Sequence, residues 1–224
     1  MSDPVVQPRD PAADVFSAHR HEAGLRLDPG RTALVVVDMI NEFCKPGGRM
    51  VLPGYEALVP PQRALIGRAR ALDVPVVFVI DSHRRGMRQD REFLKRTPHG
   101  EEGTWATEVI EEIAPAPGDH RVVKHRYSAF FGTDLDVLLR DMRVGQLVVM
   151  GVVTNICVRS TVHDAFFLGY DVVVPRDACA ATGPREQESS LYDVATHFGV
   201  VSTAAAVARA MDGSAEIANE VPPV

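Results

Sequence analysis

A cysteine lies in the segment VVMGVVTNICVRSTVHDA, where an apolar run gives way to a helical pattern. This residue is Cys157. A thiol at the start of a helix is a candidate nucleophile, because the positive end of the helix dipole favours the thiolate. A thiol that only packs in the core is the alternative, since free cysteine is among the most buried residue types.

Charged residues that end other apolar runs are candidate partners for this thiol. Asp38 follows VVV, Asp81 follows FVI and Lys124 follows RVV. Ligands of open α/β sheets bind at the carboxyl ends of the strands, so we expect these side chains to meet there. The lysine would favour the thiolate, and Asp38 would carry the thiol proton to a leaving amine. Backbone N–H groups around Val153 and Cys157 are the expected oxyanion hole.

The apolar runs are short, rich in β-branched residues and nearly continuous. This pattern is typical of strands covered on both faces, and helical patterns lie between them. We therefore expect an α/β fold, a three-layer α/β/α sandwich with a mainly parallel, six-stranded doubly wound sheet. The predicted strands cover residues 33–37, 74–80, 121–124, 146–150, 170–174 and 199–202. The predicted helices cover residues 55–72, 104–113, 133–142, 156–168 and 186–198.

The composition indicates a globular protein and argues against a nucleic-acid-binding or membrane-spanning one. The chain has 224 residues, of which 46% are hydrophobic and 24% charged, as in ordinary globular proteins. A net charge of −6 argues against nucleic-acid binding, and no apolar run is long enough to span a bilayer. Three cysteines without CxxC spacing indicate a reducing compartment, so a cytoplasmic localisation is expected. An N-terminal arm is expected over residues 1–28, one domain over 29–211 and a C-terminal tail over 212–224.

Three motifs, in this order, resemble those of the isochorismatase-like cysteine hydrolases. They are VVVDMINEFCKPGG, VVKHRYSAFFGTDLDVLL and GVVTNICVRSTVHDAFFLGYDVVVPRDACA, and the resemblance covers about residues 31–204. It implies that residues 29–211 form a hydrolase domain whose catalytic triad is Asp38, Lys124 and Cys157. It also implies a cis peptide bond between Val152 and Val153 that aims two N–H groups at the oxyanion.

The cysteine favours one reaction among those of this superfamily. Isochorismatases cleave a vinyl ether and need no thiol, so the resemblance implies an amidohydrolase, a hydrolase of non-peptide C–N bonds in linear amides. The expected intermediate is a thioester acyl-enzyme, with ammonia or an amine leaving. A nicotinamidase-like substrate is favoured. Ureido or carbamoyl compounds (ureidoacrylate, biuret, N-carbamoyl amino acids) are the alternative.

Two further readings are less favoured. One is a vinyl-ether hydrolase of the isochorismatase type. The other is a non-catalytic α/β binding protein, for which a glycine fingerprint would be expected after the first strand, where the sequence reads DMINEF.

A candidate metal site resembles that of nicotinamidases. The DSH segment and the histidine of TPHGEEGT match its pattern and supply Asp81, His83 and His99. One carboxylate and two imidazoles suit Zn²⁺ and leave positions open for water. Hydrogen bonding between Asp81 and His83 without a metal is the alternative, and no organic cofactor is expected.

The sequence departs from the nicotinamidase pattern near the expected substrate. Gln89 replaces a further histidine, Arg96 a tryptophan beside the pyridine ring, and Ile40 a glutamine. The candidate substrate contacts are Phe43, Arg96 and Tyr127. Arg96 suits a carboxylate or ureido oxygen because its donors are paired, whereas packing is the alternative for Phe43 and Tyr127.

The expected partner is a small-molecule amide, with no nucleic acid and no membrane. The aromatic pairs Phe130-Phe131 and Phe166-Phe167 suggest a subunit interface. By analogy with the superfamily, a homodimer or homotetramer is expected.

Overall fold

A parallel sheet forms the centre of the computed structural model, which describes residue 19 and residues 24–86 and 91–221. Its strands are β2 (Thr32–Val37), β3 (Val76–Asp81), β4 (His120–Lys124), β5 (Gln146–Val152), β6 (Asp171–Pro175), β7 (Cys179–Ala180) and β8 (Val200–Ser202). Their order is β4-β3-β2-β5-β6-β8, and β7 pairs with the end of β5. A separate antiparallel pair joins β1 (Leu25–Arg26) to β9 (Glu216–Ile217).

Helices connect the strands and cover the sheet. They are α1 (Asn41–Cys44), α2 (Val59–Ala71), α3 (Leu135–Asp141), α4 (Arg159–Phe167), α5 (Pro184–Asp193) and α6 (Ala204–Ala210). A wide π-type turn, Thr154–Val158, leads into α4, and another, Val194–Phe198, follows α5. Short 3₁₀ turns are Pro29–Arg31, Tyr55–Leu58, Glu92–Leu94, Trp105–Thr107, Glu111–Ile113 and Arg176–Ala178. None of these helices is long and apolar enough to cross a membrane, among the residues described.

The central strands are apolar along their whole length because both of their faces are covered. Every residue of β2, β3 and β5 is buried. The edge strand β4 alternates instead, with Val122 and Lys124 buried and Arg121 and Val123 exposed. The alternating run therefore marks the edge formed by β4, whereas the short strand β8 at the other edge is buried throughout.

The predicted fold class is confirmed, with seven strands in the sheet where six were expected. All six predicted strands are present, with ends displaced by one or two residues. The seventh, β7, has only two residues, which is too short to give a periodic signal.

The helix predicted over residues 104–113 is wrong. Two 3₁₀ turns occupy this segment, and Val109 between them forms a bridge with Ile40. The Ile110 amide also donates to the Met39 carbonyl at 3.0 Å. The loop after β2 thus forms hydrogen bonds with backbone groups of this segment that a helix would need for its own hydrogen bonds. This is a tertiary effect, which the local sequence pattern does not predict.

The C-terminal segment packs on the domain as far as the structure describes it. Ile217 in β9 is only 1% exposed, and Asn219 accepts a hydrogen bond from the Val201 amide and donates to the Ala195 carbonyl. The boundaries of the arm and tail stay predictions, and most of the arm lies outside the described residues.

The chain changes direction in the sheet between β2 and β5. It runs outward through β3 and β4 and then returns to the other side of β2. Loops that leave neighbouring strands in opposite directions open a crevice at the carboxyl ends, where α/β proteins bind ligands. Asp38 follows β2, and Asp81 and Lys124 end β3 and β4. The fold therefore brings these three residues to one crevice.

Candidate active site

Lys124 is the centre of a buried cluster at the carboxyl end of the sheet. It is 0% exposed, and its Nζ lies 2.8 Å from Asp38 Oδ2, 2.9 Å from Asp81 Oδ1 and 3.6 Å from Cys157 Sγ. The parallel register of β3 and β4 pairs Asp81 directly with Lys124. The three residues of the predicted triad thus lie together, with Asp81 as a fourth member.

Asp38 is held in place by its backbone as well as its side chain. Its φ of +54° lies in the left-handed region, which aspartate tolerates better than most residues and which turns the chain out of β2. Its amide donates to the Val79 carbonyl at 3.0 Å, and its Oδ1 accepts from the Asp81 amide at 2.9 Å. The carboxylate is therefore fixed between two strands, with Oδ2 directed at Lys124.

The two carboxylates beside Lys124 differ in acidity. Burial raises the pKa of Asp38 to about 6, against the opposing charge of Lys124. Burial also acts to raise the pKa of Asp81, but Lys124 and hydrogen bonds from two histidines hold it well below its ordinary value. Lys124 keeps a raised pKa, because the two carboxylates outweigh its burial. Asp81 therefore stays ionised, while Asp38 is suited to exchange a proton near neutral pH.

Cys157 lies in the wide turn Thr154–Val158, between β5 and α4. It is 7% exposed and lines a cavity of about 300 Å³. Burial raises the pKa of its thiol well above the ordinary value; Lys124 opposes this effect, and Asp38 and Asp81 reinforce it. The thiol is therefore protonated at rest, unlike the thiolate expected from the sequence. Nucleophilic attack then requires a base, and Asp38 is the neighbouring carboxylate with a raised pKa.

The Val152–Val153 peptide bond precedes this turn and is cis, as the resemblance implied. The Val153 carbonyl accepts from the amides of Ile156 and Val158, at 3.1 and 3.3 Å. Val153 and Cys157 both line the cavity. The role of their amides as an oxyanion hole stays a prediction.

Gly151 allows β5 to approach β2 closely just before the cis bond. It pairs with Val37 and has a φ of +125°. A Cβ at this position would lie 2.0 Å from the Val37 carbonyl oxygen. The local path of the chain toward Cys157 therefore requires glycine.

The cavity beside Cys157 is lined by all three residues that were predicted to contact the substrate, namely Phe43, Arg96 and Tyr127. Burial raises the pKa of the Tyr127 hydroxyl, and the nearby Glu92 adds to this effect. A segment of the same wall, consisting of Met50, Val51, Leu52 and Pro53, was not predicted from the sequence. These residues follow the KPGG turn and form no motif, so only the fold shows that they face the cavity.

The three predicted metal ligands also lie together, and Glu92 joins them. The ligand atoms of Asp81, His83, Glu92 and His99 lie within 4.8 Å of one another, and all four residues are buried. His83 Nε2 is 3.2 Å and His99 Nε2 is 3.6 Å from Asp81 Oδ2. Glu92 was not predicted from the sequence, because a glutamate in the loop REFLKR follows no recognised ligand spacing.

The hydrogen bonding of His99 fits a bound cation. Its Nδ1 lies 2.7 Å from the Thr97 carbonyl, which can only accept, so this nitrogen carries the proton. Its Nε2 lies 3.6 Å from Asp81 Oδ2. This nitrogen donates to the carboxylate when the ring is doubly protonated, and it can direct a lone pair at a metal ion when the ring is neutral. Burial acts to lower the pKa of His99, but Asp81 and the Thr97 carbonyl outweigh this effect and raise it. Metal-ligating histidines commonly donate their other N–H to a carbonyl. The cluster of two carboxylates and two imidazoles thus fits a divalent ion such as Zn²⁺.

The fold and the cluster at its crevice define a hydrolase, and comparison with known proteins shows which kind. Residues 32–206 match the family model of the isochorismatase domain, so the chain belongs to the isochorismatase family. A similar curated sequence is the ureidoacrylate amidohydrolase RutB of Serratia proteamaculans (strain 568). It is 32% identical over 228 residues, which cover 90% of this chain and 91% of the relative. The name of this relative agrees with the predicted enzyme class.

Solved structures agree with this assignment. A cysteine hydrolase from Pseudomonas syringae pv. phaseolicola 1448A is similar with a TM-score of 0.80 and 33% identity, over 85% of this chain and 97% of that one. The nicotinamidase/pyrazinamidase PncA of Bacillus subtilis is similar with a TM-score of 0.71 and 28% identity, over 77% and 99%. The predicted superfamily is therefore confirmed.

Proposed function

We propose that the chain is a cysteine amidohydrolase that cleaves a C–N bond of a small ureido compound, such as ureidoacrylate. The observation that carries the proposal is the contact of one buried ammonium, Lys124, with both Asp38 and Cys157, where Cys157 lines the cavity. The RutB relative, which matches nearly the whole of both chains, supports a ureido substrate.

This substrate replaces the nicotinamide-like one that the sequence alone favoured. The nicotinamidase structure shares less identity with the chain than the RutB relative does, 28% against 32%. In addition, Arg96 lines the cavity at the position where the nicotinamidase pattern has a tryptophan beside the pyridine ring. An exposed guanidinium suits a charged substrate better than a neutral ring.

The first step forms a covalent intermediate. Asp38 takes the thiol proton while Cys157 Sγ attacks the ureido carbonyl carbon. Lys124 stays protonated and stabilises the negative charge as it moves from Asp38 to the sulfur. The amides of Val153 and Cys157 donate to the developing oxyanion, an effect of about 3 kcal/mol for each donor.

The second half of the reaction releases both products. When the tetrahedral intermediate collapses, the C–N bond breaks and Asp38 returns its proton to the leaving amine. The sulfur then holds a carbamoyl group as a thiocarbamate, which is the ureido counterpart of a thioester acyl-enzyme. A water molecule attacks this group while Asp38 takes the water proton and passes it to the departing sulfur. One ureido compound and one water thus give one amine and one carbamic acid.

The cluster of Asp81, His83, Glu92 and His99 would hold the divalent ion. When bound, such an ion supplies a Lewis acid at the cavity wall, where it can bind water or a polar atom of the substrate. Asp81 links the cluster to the triad, because its Oδ1 accepts from Lys124 while its Oδ2 faces the two histidines.

An assay of ammonia and amine release tests the proposed function. The substrates are ureidoacrylate, biuret, an N-carbamoyl amino acid and nicotinamide. We expect kcat/KM for ureidoacrylate to exceed that for nicotinamide by at least about tenfold, which corresponds to about 1.4 kcal/mol. Turnover of nicotinamide without turnover of any ureido compound would refute the proposal.

A further inference from the structure

We propose that the enzyme selects ureido substrates that also carry a carboxylate, and that Arg96 at the edge of the cavity binds this carboxylate. The inference rests on the proposed function and deepens it. The proposed function names the bond that is cleaved and a ureido compound as the substrate. The inference adds that a carboxylate is required for selection and names the residue that binds it.

Arg96 has donors available for a ligand. Its side chain is exposed and lines the same cavity as Cys157. Its Nη1 donates to the neighbouring Lys95 carbonyl at 3.0 Å. In the described part of the chain, no carboxylate lies within ion-pair distance of its guanidinium. Because a guanidinium has five N–H donors, most of them face solvent or the cavity.

Two carboxylates, Asp81 and Glu92, also line the cavity, and each lies beside a basic side chain. Asp81 contacts Lys124 and His83, and Glu92 lies 3.8 Å from His83 Nε2. The remaining wall is largely apolar. Arg96 lines this cavity and carries a permanent positive charge, so a substrate carboxylate is stabilised when it points toward Arg96.

The ureido group and the carboxylate thus have separate places in the cavity. The ureido carbonyl must reach Cys157, which lies in the buried end beside Lys124. A carboxylate at the other end of the substrate can form two parallel N–H···O bonds with a guanidinium. Neutral amides such as nicotinamide and biuret have no group that replaces these bonds. The carboxylate contact is expected to favour anionic substrates by about 10- to 100-fold.

The test compares ureidoacrylate with its methyl ester, which keeps the ureido group and loses the charge. Arg96→Gln is expected to lower kcat/KM for ureidoacrylate by about 10- to 100-fold, mainly through KM, and to change that for the ester by less than about threefold. Arg96→Lys should recover only part of the loss, because an ammonium cannot form the paired bonds. Arg84→Gln is the matched control, since Arg84 is also exposed and does not line the cavity.

A binding measurement separates this inference from the proposed function. Calorimetry on Cys157→Ala gives the Kd of ureidoacrylate without turnover, and adding Arg96→Gln should raise that Kd by about 10- to 100-fold. Equal effects of Arg96→Gln on the acid and the ester would overturn the inference. If the wild type hydrolyses neither compound while Arg96-dependent binding persists, the proposed function fails and the carboxylate site stands.

Discussion

At the scale of single residues, the site depends on one ammonium shared by two carboxylates and a thiol. Asp38, Lys124 and Cys157 were predictable because each lies at or just after the carboxyl end of a recognisable strand. Asp81 was expected at the same edge of the sheet, but its direct ion pair with Lys124 depends on the register of β3 against β4, which the sequence does not give. Glu92 was missed for a related reason, since only the folded loop brings it to His83.

The protonated state of Cys157 was also beyond prediction from the sequence. A helix start and a nearby lysine both favour the thiolate, and these features are visible in the sequence. Burial, together with the charges of Asp38 and Asp81, acts in the opposite direction and outweighs them. Because the resting thiol keeps its proton, the proposed mechanism depends on Asp38 as a base.

Asp38→Asn is therefore expected to lower kcat/KM by about 10³-fold, because the amide cannot take the thiol proton. The variant should still fold, since Lys124 keeps Asp81 as a counter-ion at 2.9 Å. The measurement is amine release from ureidoacrylate, together with a circular dichroism spectrum.

Asp177 provides the control for this experiment. It also follows a strand, but its Oδ1 accepts from the Ala204 amide at 2.6 Å, at the start of α6. Asp177→Asn should keep kcat/KM within about threefold, since the amide oxygen of asparagine can still accept from the Ala204 amide. Full activity in Asp38→Asn would mean that another group removes the thiol proton.

At the scale of elements, the strands were predictable and the irregular segments were not. The central strands have continuous β-branched runs because both faces are buried. In contrast, β7 is too short to show a pattern. Residues 104–113 form a bridge with the loop after β2 instead of the helix that their sequence pattern predicts. The approach of β5 to β2 at Gly151 is likewise a property of the assembled sheet.

Gly151→Ala is expected to destabilise the fold severely, by about 4 kcal/mol or more, since the new Cβ would meet the Val37 carbonyl at 2.0 Å. Gly169→Ala is the matched control. Gly169 also has a positive φ, +87°, but nothing lies within 4 Å of the position that its added methyl group would occupy. Gly169→Ala should lower the free energy of unfolding by about 1 kcal/mol. Urea unfolding of both variants is the measurement. Equal losses in the free energy of unfolding would show that the positive φ alone, and not the close approach to Val37, requires glycine at position 151.

At the scale of the whole molecule, the candidate metal cluster joins separate parts of the chain. Asp81 and His83 lie at the end of β3, whereas Glu92 and His99 belong to the long connection to β4. The sequence supplied three of the four residues through the family resemblance, and folding supplied Glu92. The expected homodimer or homotetramer stays a prediction, although Phe131 and Phe167 are 66% and 72% exposed.

Zinc is expected to stabilise metal-stripped protein, because an ion that binds only the folded chain raises the free energy of unfolding. At a zinc concentration about 100 times Kd, the gain is about 2.7 kcal/mol. His99→Ala should lose this gain, and His197→Ala, which alters an exposed histidine outside the cluster, should keep it. Denaturant unfolding with and without zinc is the measurement. An equal gain in His99→Ala would place the ion elsewhere.

The central claim, that the Cys157 sulfur is the nucleophile, is tested most directly by rapid acid quenching during turnover of ureidoacrylate, followed by peptide mass spectrometry. The proposed mechanism predicts a carbamoyl group on the peptide that contains Cys157, formed within the first turnover and absent from Cys157→Ala, which should also release no amine. A carbamoyl group mapped to another residue, or amine release by Cys157→Ala at the wild-type rate, would contradict it.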